Sequence, residues 1–399
     1  MITLELKTYP SKEQQSLISD AIRSFQFIRN KALRKWCDAK TNNTKETSKT
    51  LYVLSKTLAQ EYSFVKPLNS TARQAATERA WSAILRFYKG LSRKPKFQKD
   101  NRSVEFKQSG WKLSSDNKRI TFKSFGIGSL KLKGTRSLQN YSDSKILRVR
   151  IVRRSDGYYV QFCIDFTRKM HHTPTGKAVG IDVGLKHFFT DSDGRTVANP
   201  RFLRKSETSL KRLQRRHSKC KKKSNNRRKA RTKLSKKHLK VSRQRKDFAV
   251  KTARQVITDS DFVAIEDLTI KNMVKDHRVS KSFNDAALRQ FRNWLEYFGK
   301  ISGVPVVLVP PEYTTQECSS CGRLVEKSLS ERTHVCRCGC VLDRDFNAAK
   351  NILSKAFTSL TKTNTVGHTG INASEEDSST LVLNERWQET SLKEESVGL

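Results

Sequence analysis

Between Arg201 and Val250 the chain carries 22 Lys or Arg residues against two acids, Glu207 and Asp247. Large apolar residues, among them Leu203, Leu210, Leu213, Leu234, Leu239 and Phe248, are sparse across the same span. Such a segment cannot build a core of its own, because its charges repel one another and few side chains are available for burial. Long helices packed along one narrow stripe are therefore predicted, with a charged remainder. At this density and single sign, phosphate binding is a stronger reading of that remainder than a merely solvated face. The whole chain shares the bias: 80 Lys plus Arg stand against 38 Asp plus Glu in 399 residues, a net charge of +42. A folded protein so charged calls for a polyanionic partner, and nucleic acid is the commonest.

A hydrophobic content of 36% over this length suffices for roughly two or three domains with ordinary cores. MITLELKTYPSKEQQ lacks the apolar region of a signal peptide, and no apolar run approaches the roughly 18 residues of a membrane span. The expectation is a cytoplasmic, nucleoid-associated protein with no membrane partner. ITLELKTY alternates as a strand, Pro10 and Ser11 with Gln14 read as a capped helix start, and helix is predicted through about Lys40. More helix follows the break TNNTKETSKT, with Trp81, Ile84, Leu85 and Tyr88 at helical spacing, which makes Trp81 a core residue before a base-stacking platform. Beyond Lys94 the pattern turns to strands: VEFK, KRITFK, GSLKLKG, KILRVRIVRR and GYYVQFCIDF, separated by turn residues. KAVGIDVGLKHFFT and DFVAIEDLTI read as buried strands that carry acids, Ala287 to Phe298 as an amphipathic helix, and VPVVLVPP as a strand closed by prolines. After Ala356 the composition becomes polar and locally acidic, as in disordered tails.

Eight cysteines in a reducing compartment argue against a disulfide framework. Cys37, Cys163 and Cys220 are scattered, whereas Cys318, Cys321, Cys336, Cys338 and Cys340 crowd one window. CSSCG has the spacing of a zinc knuckle, in which a tight turn points both thiolates at one ion. A tetrahedral site needs one pair from CRCGC, so one of its three cysteines is spare. Cys338-Gly339 echoes Cys321-Gly322, which favours Cys336 with Cys338; Cys336 with Cys340 is the wider alternative. Four sulfurs and no open position make a single structural zinc.

Three acids occupy comparable places: Asp182 within a buried strand, Glu266 at the end of another, Asp345 at the entrance to a helix. Singly, each has an ordinary reading as a cap or an ion-pair partner. Together they would need a cation, since two like charges about 4 Å apart repel by roughly 4 kcal/mol at an effective dielectric near 20. Hard oxygen ligands select Mg²⁺ or Mn²⁺, and paired ions suit phosphodiester hydrolysis on a basic surface.

VGIDVGLKHFFT, FVAIEDLTIKNM, the YTTQECSSCG knuckle and VLDRDFNAAKNI, in this order, resemble the TnpB proteins of insertion sequences, relatives of type V CRISPR effectors. The resemblance covers most of the chain. By position it makes Asp182, Glu266 and Asp345 the acids of the three RuvC segments, binding two Mg²⁺ ions, and leaves Asp343 a neighbour, with Arg344 and Asn347 as support or substrate contacts. It implies a mixed α/β multidomain fold: a β module of residues 1–10 and 95–172, a helical recognition domain at 11–94, a RuvC-like RNase H-fold nuclease domain at 176–314 and 341–355 that includes the basic helices of 201–257, a zinc-binding insert at 315–340, and a disordered tail at 356–399. Many members space the second cysteine pair by two residues; here the gap is one, and Cys340 is extra.

The activity implied is RNA-guided cleavage of double-stranded DNA, with one protein per guide RNA, a short motif beside the target read by the N-terminal parts, and base pairing supplying sequence choice. Lys211, Arg212, Arg215, Arg216, Lys221, Lys222, Lys223, Arg227 and Arg228 are the candidate phosphate contacts, and Gln74 a candidate for the flanking motif. The alternatives are a guided DNA-binding repressor that has lost cutting, against which the three intact acids speak, and a transposase-type strand-transfer enzyme.

Overall fold

The computed structural model describes residues 1–42, 44–141, 143–268, 287–328 and 331–365. The chain divides into two compact units, Met1–Arg168 and Lys169–Leu399. No described helix is long and apolar enough to cross a membrane.

In the first unit, strand β1 (Ile2–Thr8) is followed by three helices, α1 (Lys12–Thr41), α2 (Ser48–Glu61) and α3 (Ser70–Tyr88). Six more strands come next: β2 (Ser103–Phe106), β3 (Trp111–Leu113), β4 (Arg119–Phe122), β5 (Gly128–Lys133), β6 (Ile146–Arg154) and β7 (Gly157–Ile164). The seven form one sheet in the order β2-β6-β7-β1-β5-β4-β3, antiparallel throughout. The first strand thus lies inside the sheet, its Ile2 to Thr8 running against Ile164 to Tyr158. Ser11 caps α1 by accepting from the Gln14 N–H, and the Gln14 side chain accepts from the Ser11 N–H in return. Ile18, Ile22, Phe25 and Ile28, three or four residues apart on α1, enter one core with Leu4, Leu6, Phe106, Phe122, Val160 and Phe162 of the sheet. Helices and sheet are therefore one packed body, although the sequence distinguishes them by pattern. Trp81 is half-buried against two apolar clusters between the helices, and Cys163 is buried in β7.

In the second unit, β8 (Ala178–Val183), β9 (His187–Asp191) and β10 (Thr196–Ala198) precede the two basic helices, α4 (Phe202–Lys219) and α5 (Asn225–Asp259). Then come β11 (Phe262–Glu266), α6 (Leu288–Ser302), β12 (Val306–Val309), the short hairpin β13 (Thr333–Val335) and β14 (Val341–Asp343), and α7 (Arg344–Thr365). The five-stranded sheet runs β10-β9-β8-β11-β12; β8, β11 and β12 are parallel, and β9 and β10 continue antiparallel from β8. Its two faces are covered differently. Val179, Ile181, Val263 and Ile265 face the core made with Ala249, Ala253 and Ile257 of α5 and Phe291, Leu295 and Phe298 of α6. Ala264 and Val309 face α7 through Ile352 and Ala356.

The last helix corrects the expected boundary of the tail. Residues 356–365 are helical, because Ala356 is fully buried on the sheet and the Phe357 ring stacks on Phe262 with centroids 5.1 Å apart. Residues 366–399, and the end of the FVAIEDLTIKNM segment from 269 on, lie outside the described residues.

Candidate nuclease and zinc sites

Parallel pairing brings two of the acids together. Ile181 of β8 stands opposite Ile265 of β11, so the next residues, Asp182 and Glu266, leave the C-terminal ends of neighbouring strands side by side. Side chains alternate along a strand, which sends both carboxylates to the face opposite the two isoleucines, the face that carries α7. Gly180 lies two residues before Asp182 on that same face. A Cβ there would sit 2.2 Å from the Ala349 carbonyl oxygen and 2.8 Å from the Leu353 nitrogen. Only glycine lets the helix backbone come this close. One turn before Ala349, on the same stripe of α7, is Asp345, and its charge reaches Asp182.

The DRD sequence divides its work. Asp343 caps α7: its Oδ1 accepts from the backbone N–H of Asp345 at 2.9 Å and of Phe346 at 3.4 Å. The expected bystander is thus the cap, and it frees the buried Asp345 for other contacts. Asp345 accepts from Arg344 Nε at 3.4 Å and has Arg332 Nη1 at 3.8 Å. Glu266 is buried and accepts from the hydroxyl of Thr314, a residue with no signal in the sequence, since a threonine before a zinc knuckle carries none of its own.

Burial lifts the Asp182 carboxyl well above the usual range, and the negative charges of Glu266 and Asp345 lift it further. Burial raises Glu266 as well, against the hydrogen bond from Thr314. Oxygen donors whose negative charge is disfavoured for want of a counter-charge fit a hard divalent cation. The three carboxylates do not converge within 4.8 Å of one another among the described residues; Glu266 is turned to Thr314 and Asp345 to its arginines.

The cysteines do converge. The sulfurs of Cys318, Cys321, Cys336 and Cys338 all lie within 4.8 Å of one another, the only such group of His, Cys, Asp or Glu ligand atoms among the described residues. Cys318 Sγ is 3.6 Å from Cys338 Sγ, and Cys321 Sγ is 3.6 Å from Cys336 Sγ. Tetrahedral zinc with Zn–S bonds of about 2.3 Å requires sulfurs about 3.8 Å apart, so the residues fit the ion. Each turn is closed by glycine at positive φ, Gly322 at 73° and Gly339 at 88°. Burial, which raises the Cys318 thiol, is outweighed by the Ser320 and Cys321 N–H groups, and its pKa falls to about 5. Cys338 is pushed up to about 12: the Cys340 N–H favours its thiolate, but the sulfurs of Cys321 and Cys336 oppose a second negative charge. Cys340 stands outside the group, and its backbone carbonyl closes the turn by accepting from the Cys336 N–H at 2.9 Å.

The candidate phosphate contacts are not equivalent. Lys211, Arg212, Arg215, Arg216, Lys221, Lys222, Lys223 and Arg228 are exposed along α4, the turn after it and the start of α5. Arg227 instead turns inward, donating to the Cys220 carbonyl at 2.9 Å and tying the turn between the helices. Lys211 pairs with Glu207 one helical turn away at 2.9 Å. In the first unit Gln74 is half-exposed on α3.

Residues 161–277, which include Asp182 and Glu266, match the family model OrfB_IS605, described as a probable transposase. Residues 289–352, which include the four converging cysteines and Asp345, match the Cas12f1-like TNB domain. Two parts of the chain are thus similar to the OrfB_IS605 and Cas12f1-like families. A Streptomyces pristinaespiralis protein named "Putative RNA-guided DNA endonuclease" is 29% identical over 356 residues, which cover 87% of each chain. The Escherichia coli (strain K12) protein InsQ, named in the same words, is 26% identical over 74% of this chain and 77% of its own. Among solved structures, the Cas12f1 chain of a cryo-EM complex with sgRNA and target DNA shares the fold, with a TM-score of 0.56 at 15% identity over 88% of this chain and 98% of that one.

Proposed function

We propose that the protein is an RNA-guided DNA endonuclease whose second unit is a RuvC-like nuclease domain. The observation that carries this reading is the meeting of Asp182 and Glu266 on adjacent parallel strand ends beneath the first turn of the helix bearing Asp345. Asp182, Glu266 and Asp345 would hold two Mg²⁺ or Mn²⁺ ions, which would supply activation of a water and stabilisation of the leaving 3′ oxygen. Asp343 keeps the helix start in register, and Arg332 and Arg344 screen Asp345 until it is used. Cys318, Cys321, Cys336 and Cys338 would hold one structural zinc.

Guide RNA and double-stranded target DNA are the partners this reading requires, and both the net charge of +42 and the names of the full-length relatives support them. The exposed cations of α4 and the turn after it would hold phosphate backbone, with Gln74 directed to the flanking motif and one protein acting per guide. The transposase description of the matched model favours strand transfer as a second reading. One experiment separates them. The protein purified with the RNA encoded beside its gene is given Mg²⁺ and duplex DNA either matched or mismatched to that RNA. Cutting of the matched duplex alone is expected. Joining of DNA ends without any guide would support the transposase, and guide-dependent binding without cutting would leave the repressor.

A further inference from the structure

The segment from Glu312 to Ser319 leads from the end of the sheet into the first zinc knuckle, and one face of α7 stitches it down. Asn347 accepts from the Ser319 N–H at 2.9 Å and donates to the Glu317 carbonyl at 2.7 Å. Asn351, one turn on, donates to the carbonyls of Thr314 at 2.9 Å and Glu317 at 2.7 Å. Lys355, one further turn on, donates to the Glu312 carbonyl at 2.8 Å and pairs with the Glu317 carboxylate at 3.0 Å. Asn347, Asn351 and Thr314 are all buried, so these bonds do not compete with water. At the sheet end of the segment, Tyr313 turns through a left-handed φ of 59° and delivers the Thr314 hydroxyl to Glu266. At the other end, Cys318 enters the sulfur cluster. The same helix presents Asp345 on its neighbouring stripe.

We propose that Thr314 is a positioning residue for Glu266, and that the zinc knuckle, clamped to α7 by Asn347 and Asn351, holds Thr314 where it must be. The inference rests on the nuclease reading of the acids. The Thr314 hydroxyl has two acceptors, one Glu266 oxygen and, at 3.2 Å, the Pro311 carbonyl; its one proton given to the closer, the carboxylate oxygen, leaves the other carboxylate oxygen for a cation, the arrangement by which outer-shell donors orient metal ligands. Zinc thereby sets the geometry of the acid site: once the sulfurs separate, the Cys318 end of the segment is slack, and Thr314 is left to the α7 bonds and to the segment's own turn, in which the Gln316 and Glu317 N–H groups donate to the Tyr313 carbonyl.

The test uses the full chain with its copurified RNA, and the probe is Mn²⁺ alone. Binding is measured by titration calorimetry as the difference from Asp182→Ala, zinc is counted by chelator release, and cleavage is followed as a function of Mg²⁺ concentration. Thr314→Val is expected to weaken Mn²⁺ binding by ~10–100-fold, to raise the Mg²⁺ needed for half-maximal cleavage by a similar factor, and to leave one zinc per chain. Thr314→Ser, which keeps the hydroxyl, restores binding to within a few-fold. Wild type stripped of zinc loses Mn²⁺ affinity as Thr314→Val does. Wild-type affinity in Thr314→Val, no rescue by Thr314→Ser, or full affinity in the zinc-stripped protein would each overturn the proposal while the nuclease reading stands. A wild type that binds Mn²⁺ no better than Asp182→Ala overturns both.

Discussion

Gly180→Ala perturbs the contact that brings the third acid to the other two. The added methyl would lie 2.2 Å from the Ala349 oxygen, where ordinary contact begins near 3.4 Å, so α7 must retreat by about 1 Å. Overpacking of this kind costs about 1–3 kcal/mol, which in a unit of this size lowers the melting temperature by roughly 2–12 °C. The functional cost is larger, because a displacement of about 1 Å between reacting groups costs on the order of 100-fold in rate. Thermal melting and single-turnover cleavage of guide-matched DNA, measured on one preparation, should show both effects. The obstacle is a backbone carbonyl, so trimming the helix side chain does not relieve it, and Gly180→Ala/Leu353→Ala should stay slow. A Gly180→Ala variant that melts and cuts as wild type does would refute the close seating of α7 on β8 as the origin of the site.

Three further outcomes follow from particular contacts. Cys338→Ser should lose the bound zinc and Cys340→Ser should keep one ion per chain, since only the former sulfur converges with the other three; zinc counted after chelation checks both. Asp343→Ala should cost about 1 kcal/mol as a lost helix cap, read by urea unfolding, while cleavage persists at a reduced rate. In the first unit, burial would raise Glu105, but Arg79, Arg150 and Arg148 outweigh it and hold the carboxyl at about 2, below its ordinary 4.5. A depressed carboxylate stabilises the folded state fully above about 4.5 and loses that contribution as pH falls towards 2. Glu105→Gln should therefore cost roughly 3 kcal/mol at pH 7 and progressively less below pH 4.5, as followed by urea midpoints across that range.

Patterns local to the chain were legible in the sequence. The capping box at Ser11, the alternation of β1 and the two glycine-closed cysteine turns each depend on residues a few positions apart. Relations across the fold were not. That Asp182 and Glu266 share a strand end depends on parallel pairing between segments separated by both basic helices, which no local period encodes. The two acids of DRD are chemically alike, and only the helix start decides that the first caps and the second enters the first turn. Composition misplaced the end of α7, because polar residues after Ala356 read as tail while Ala356 and Phe357 were held by the sheet. Thr314 had no signature, since its role exists only where Tyr313 turns it towards Glu266.

The most direct test is the rate at which wild type and Asp182→Ala, each purified with its own RNA, linearise a plasmid carrying the guide-matched target in Mg²⁺. Zinc content and RNA occupancy should be equal in the two, because Asp182 touches neither the sulfur cluster nor the basic helices' exposed face. The wild type is expected to cut and Asp182→Ala to fall to background; equal cutting by the two would contradict an active site built on Asp182, Glu266 and Asp345.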